Sequence, residues 1–143
     1  MSPGRPDVEL VRRHLLALDA AAQNLGRHAG KPLEALTQSR DEAWAVERGL
    51  QLCAQNALDV ATHLAASAGR DASDYATAID QLAALGALPA DFAARFRAIA
   101  GFRNILVHAY LEVDLGRLHQ VLNERLSDFA EFAAHVDAYL RRP

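Results

Sequence analysis

Between residues 40 and 68, apolar side chains recur at Ala43, Val46, Leu50, Cys53, Ala57, Val60 and Leu64, in alternating steps of three and four with no proline among them. Only a helix gathers that spacing onto one stripe, and a stripe of that length has to be covered by other apolar elements. Two further stripes of the same kind supply the cover. Residues 7–28 carry Val8, Val11, Leu15, Leu18, Ala22 and Leu25, and the C-terminal segment carries Leu118, Leu122, Leu126, Phe129, Ala133, Val136 and Leu140. Between them, Ser73 or Asp74 can cap a shorter helix bearing Tyr75, Ile79, Leu82 and Leu85, which Gly86 ends. Pro89 then suits the first turn of a helix with Phe92, Phe96 and Ile99 inward, running on into residues 101–110. The apolar content is 51% and mainly Ala and Leu, while aromatics are 6%, which favours helix over strand throughout. The expected fold is an all-α, antiparallel bundle of four to five helices forming one domain over residues 6–140.

Several details refine that expectation. Gly26, Gly30 and Pro32 punctuate a connector that reads as mobile, with one short turn over residues 32–36. Trp44, Leu52 and Leu58 lie off the long stripe, so that helix has a second face to cover, and a two-fold dimer would cover it. Gly49 costs the helix ~1 kcal/mol relative to Ala, a cost offset if a neighbouring helix passes close by.

Composition also excludes whole classes of function. A formal net charge of −3 gives no general basic field, so contact with nucleic acid has to be local. The lone Cys53 cannot form an internal disulfide and sits on an apolar stripe, as a core residue would. The first residues lack the apolar region of a secretory signal, and no apolar run approaches the ~20 residues needed to cross a bilayer, so a cytoplasmic protein without membrane contact is expected. His14, His28, His63, His119 and His135 show no metal-ligand spacing, so neither a metal nor another cofactor is expected. P-loop, dinucleotide-binding and serine-hydrolase signatures are absent as well.

Residues 101–110, reading G-F-R-N-I-L-V-H-A-Y, place Arg103, Asn104 and His108 in an otherwise apolar run. Buried without partners, these groups would cost several kcal/mol, so each has to be paired or open to a cleft. On a continuous helix Asn104 and His108 share one face, and Arg103 and Tyr110 share another. At ~100° per residue Arg103 and His108 point roughly 140° apart. Convergence therefore requires the reach of the arginine, a distortion of the helix or a second subunit. A polar clamp between helices accounts for the same residue types without any chemistry.

The run R-N-I-L-V-H-A-Y over residues 103–110 resembles the R-N-x-L-V-H-x-Y signature of the HepT-like toxins, which are built on the HEPN fold. Residues 47–64 are similar to that family's long second helix, and residues 75–89 to its middle hairpin. Asp114 stands where the family often has an acidic start to its last helix, so the resemblance spans residues 6–140. It implies a homodimeric toxin of a toxin–antitoxin system, partnered by an MntA-like nucleotidyltransferase antitoxin, with endoribonuclease activity that uses no metal. On that reading His108 is the general acid or base, Arg103 holds the phosphate, Asn104 orients His108 or touches the RNA backbone, and Tyr110 is where the antitoxin attaches AMP. The alternative is a non-catalytic helical dimer whose groove binds a nucleotidyltransferase or a nucleotide. A purely structural dimer would leave the segment buried and unreactive.

Overall fold

The computed structural model describes residues 4–108 and 113–143, and all its regular elements are helices. They are α1 (Val8–Gly26), α2 (Glu34–Thr37), α3 (Arg40–Ser67), α4 (Tyr75–Ala84), α5 (Ala90–Phe96), α6 (Ala98–Val107), α7 (Leu115–Glu124) and α8 (Leu126–Leu140). The expected all-α bundle is therefore the observed fold. Helix starts follow local chemistry: the carboxylates of Asp7, Asp74 and Asp114 and the hydroxyl of Ser39 accept from backbone N–H groups in the first turns of α1, α4, α7 and α3. Gly86, at φ 77°, supplies the left-handed residue that closes α4.

The central element is α3. All seven residues of its stripe are buried, and Leu58 is buried beside them, whereas Trp44 remains 61% and Leu52 36% exposed. Helix α1 lies antiparallel along it, as three pairings along its length show: Leu25 meets Gly49, the His14 ring is 2.9 Å from Asn56 Oδ1, and the Asp7 N–H donates to His63 Nε2 at 2.9 Å. A Cβ on Gly49 would stand 2.5 Å from Leu25 Cδ2, so the expected close neighbour of that glycine is α1. At the other end of the core Phe96 stacks on Phe132, with ring centroids 4.9 Å apart, and meets Phe129 edge-on at 5.9 Å.

Two expectations are corrected. The helix expected to run from Pro89 into the motif divides at Arg97, where the Ala100 N–H turns back to the Arg97 carbonyl, and Arg97 pairs with Asp80. The last helix divides at Arg125, whose φ of −121° leaves the helical range. No proline or glycine marks either break. The 27–33 connector, expected to be mobile, is tied down: Gly30 N–H donates to Asn123 Oδ1 at 2.7 Å, His119 Nε2 lies 2.8 Å from the Lys31 carbonyl, and Lys31 pairs with Glu42 at 2.7 Å. No helix among the described residues is long and apolar enough to cross a membrane.

Candidate functional site

Helix α6 presents Ile99, Phe102 and Leu106 to the core, which turns Arg103 and Asn104 toward α3 and the start of α4. Arg103 is half-buried. Its Nε donates to Gln55 Oε1 at 2.9 Å, its Nη1 donates to Asn104 Oδ1 at 3.2 Å, and its guanidinium carbon lies 5.1 Å from the centroid of the Tyr75 ring. Gln55 is held in turn, since its Nε2 donates to Asp59 Oδ1 at 2.8 Å and to the Tyr75 hydroxyl at 3.3 Å. Three helices thus converge on one guanidinium.

The electrostatics of this cluster are unusual for a helix clamp. Among the described residues no carboxylate comes within ion-pair distance of Arg103, whose contacts are an amide, a second amide and a ring face. Asp59, the acid nearest in the network, is linked only through Gln55. Among the described residues nothing neutralises the oriented positive charge, an arrangement suited to receiving an anion.

His108 closes α6 as its C-terminal cap, with φ −102° and its N–H donating to the Asn104 carbonyl at 3.1 Å, and its side chain is exposed. Asn104 is consequently the hinge of the site: its side chain accepts from Arg103 and its backbone from His108. The helix ends at Val107, so the motif does not continue as one regular helix through His108. Tyr110 lies outside the described residues, so its place in the site is not described.

The other five histidines are absorbed by packing. His14 meets Asn56, His28 meets Glu42, His63 accepts from the Asp7 N–H, His119 meets the Lys31 carbonyl and His135 meets Glu131. Among the described residues no cluster of His, Cys, Asp and Glu could hold a metal ion. Cys53 is buried, and desolvation pushes its thiol pKa up to about 12, so it is a core residue and not a nucleophile.

Sequence reasoning missed Gln55, Asp59 and Tyr75. The signal for the first two was a polar pair four residues apart on a helix otherwise given to the core. Tyr75 was read only as an apolar position of α4.

Residues 18–136 match the family model described as "Ribonuclease HepT-like". Among solved structures, the fold is similar to the tri-AMPylated HEPN toxin of Shewanella oneidensis in complex with an MNT antitoxin. That match has a TM-score of 0.78 and 19% identity, over 90% of this chain and 97% of the other. It is also similar to YutE, a cytosolic protein of unknown function from Bacillus subtilis, with a TM-score of 0.81 and 18% identity, over 98% of this chain and 93% of that one. A toxin–antitoxin structure with AMP-PNP matches with a TM-score of 0.80 and 19% identity, over 91% and 98% of the two chains. No curated protein matches this chain in sequence.

Proposed function

Because the chain belongs to the HepT-like ribonuclease family, we propose that it is the toxin of a toxin–antitoxin pair and cleaves RNA with Arg103 and His108. The observation that carries this reading is the Arg103 guanidinium, which meets no carboxylate among the described residues and is steered by Gln55 and Asn104 and backed by the Tyr75 ring. The chemistry proceeds without a metal. His108 takes the proton of a ribose 2′-hydroxyl, and the oxygen attacks the adjacent phosphorus. The 5′-oxygen of the next nucleotide departs and receives the proton that His108 took, directly or through water, leaving a 2′,3′-cyclic phosphate. Arg103 stabilises the charge that builds on the phosphorane oxygens, where a preorganised cation acts most strongly.

The proposed assembly follows from the same surface. Exposed Trp44 and Leu52 on α3 suit a two-fold dimer, which would bring two copies of the motif into one groove and pack residues 6–140 as a unit. The partner on this reading is an MntA-like nucleotidyltransferase, and its target Tyr110, as AMP is carried by the Shewanella toxin. On this reading AMP attached there adds phosphate charge and bulk to the motif segment, silencing it by charge and volume together. A cytosolic location agrees with the description of YutE.

The test is cleavage of total RNA by the purified protein in EDTA. Cleavage should disappear in His108→Ala and in Arg103→Ala while the helical circular dichroism spectrum stays intact. Binding of RNA or of the antitoxin without any cleavage by the wild type would replace this reading with that of a non-catalytic module.

A further inference from the structure

The side-chain amide of Gln55 is fully committed. Its oxygen accepts from Arg103 Nε at 2.9 Å, and its nitrogen donates to Asp59 Oδ1 at 2.8 Å and to the Tyr75 hydroxyl at 3.3 Å. Asp59 and Gln55 stand four residues apart on α3, so the carboxylate and the amide share a face. Tyr75 is the first residue of α4, placed there by the Asp74 cap. Of the two bonds made by the amide nitrogen, the one to Asp59 is the shorter and involves a charged acceptor, which makes it the stronger.

A guanidinium offers only donors and a carboxylate only acceptors, whereas an amide has a donor end and an acceptor end. The chain from Asp59 through Gln55 to Arg103 therefore has a single sense. Turned over, the amide would set its N–H groups against the guanidinium and its oxygen against the carboxylate, and its bonds to both would be lost. Among the described residues neither Asp59 nor Arg103 forms an ion pair. The interposed amide passes direction from one charged group to the other without bringing them into contact.

We propose that Asp59 is a positioning residue for Arg103. By claiming the Gln55 nitrogen it leaves only the amide oxygen to the guanidinium, and so fixes the direction in which the remaining N–H groups of Arg103 face an anion. Without Asp59 the amide nitrogen keeps only its longer bond to Tyr75, and Gln55 regains rotamer freedom that its ordering had removed. The inference deepens the proposed role of Arg103 in cleavage and rests on it, but the bond that Asp59 fixes can be read without RNA.

The experiment compares Asp59→Ala, which removes the acceptor and favours the helix, with Asp59→Asn, which removes the charge and keeps an acceptor. Solvent exchange of the Arg103 Nε–H is followed by NMR in the full chain, the signal being identified by its absence from Arg103→Lys. Exchange should quicken by at least ~5-fold in Asp59→Ala, the effect of one hydrogen bond of ordinary strength. In Asp59→Asn it should stay close to that of the wild type. In RNA cleavage Asp59→Ala should lower kcat by ~10-fold with KM little changed, since the charge of Arg103 is kept and only its placement is lost. Asp59→Asn should retain most of the wild-type kcat. Added to Gln55→Ala, Asp59→Ala should cost nothing more, because Asp59 acts through Gln55 alone. Unchanged exchange or wild-type kcat in Asp59→Ala, a further loss in the double variant, or an Asp59→Asn as impaired as Asp59→Ala would each overturn the proposal. Exchange that quickens in Asp59→Ala and not in Asp59→Asn, in a protein that cleaves no RNA, would uphold the positioning role while removing the catalytic reading.

Discussion

Arg103 and Gln55 are joined by a 2.9 Å hydrogen bond from Nε to Oε1, although 48 residues separate them in the chain. The amide fixes the guanidinium without cancelling its charge. A carboxylate at position 55 could accept the same bond and would neutralise the charge, though it could not donate to Asp59 as the amide does, so the two residue types separate a phosphate-binding arginine from a merely structural one.

Gln55→Glu gains an ion pair with Arg103 but sets a second carboxylate against Asp59, to which the amide Nε2 now donates at 2.8 Å, so no gain in stability is expected. RNA cleavage should fall in the same variant, mainly through a higher KM. Gln55→Ala should leave the guanidinium unsteered and lower kcat on the order of 10²-fold. Urea melts beside steady-state kinetics read both effects. A clamp without function would leave turnover unchanged in Gln55→Glu.

Gly49→Ala would ordinarily strengthen a helix by ~1 kcal/mol. Here the new Cβ would stand 2.5 Å from Leu25 Cδ2 and 2.8 Å from Cγ, and Leu25 is fully buried. Overpacking of about 1–3 kcal/mol is expected to outweigh the gain, so the variant melts at lower temperature than the wild type. Leu25→Ala costs a few kcal/mol by itself because Leu25 is fully buried, but it should cost less in the Gly49→Ala background, and a double-mutant cycle measures that coupling.

The stability of the α2 side should depend on acid. The Glu42 carboxyl is held below its ordinary pKa of 4.5, first by its hydrogen bond to His28 and then by that to Lys31, at 2.8 and 2.7 Å. A pKa lowered by folding contributes stability above the unfolded value and loses it as pH falls through the folded one. Glu42→Gln should therefore unfold at lower urea than the wild type near pH 7. The two midpoints should converge below about pH 4. A gap that persists into acid would mean that the carboxylate charge is not what ties the connector.

The three–four spacing of apolar residues by itself determined the class of this fold. It dictated α1, α3 and the last helical segment, and the seven-residue stripe of α3 is buried as its period requires. Local chemistry likewise marked a cap at Ser73 or Asp74, of which Asp74 serves, and the closing glycine of α4. These features are legible because a helix is built from contacts three and four residues apart, which a single chain segment contains in full. The motif pointed to Arg103, Asn104 and His108 for the same reason. Only the tertiary structure decided what surrounds them. Gln55, Asp59 and Tyr75 belong to other helices, and their approach to Arg103 depends on how α3, α4 and α6 pack, which no local pattern encodes. The breaks at Arg97 and Arg125 have the same origin. Neither residue disfavours a helix, and the chain divides there within a core in which Phe96 of α5 packs against Phe129 and Phe132 of α8.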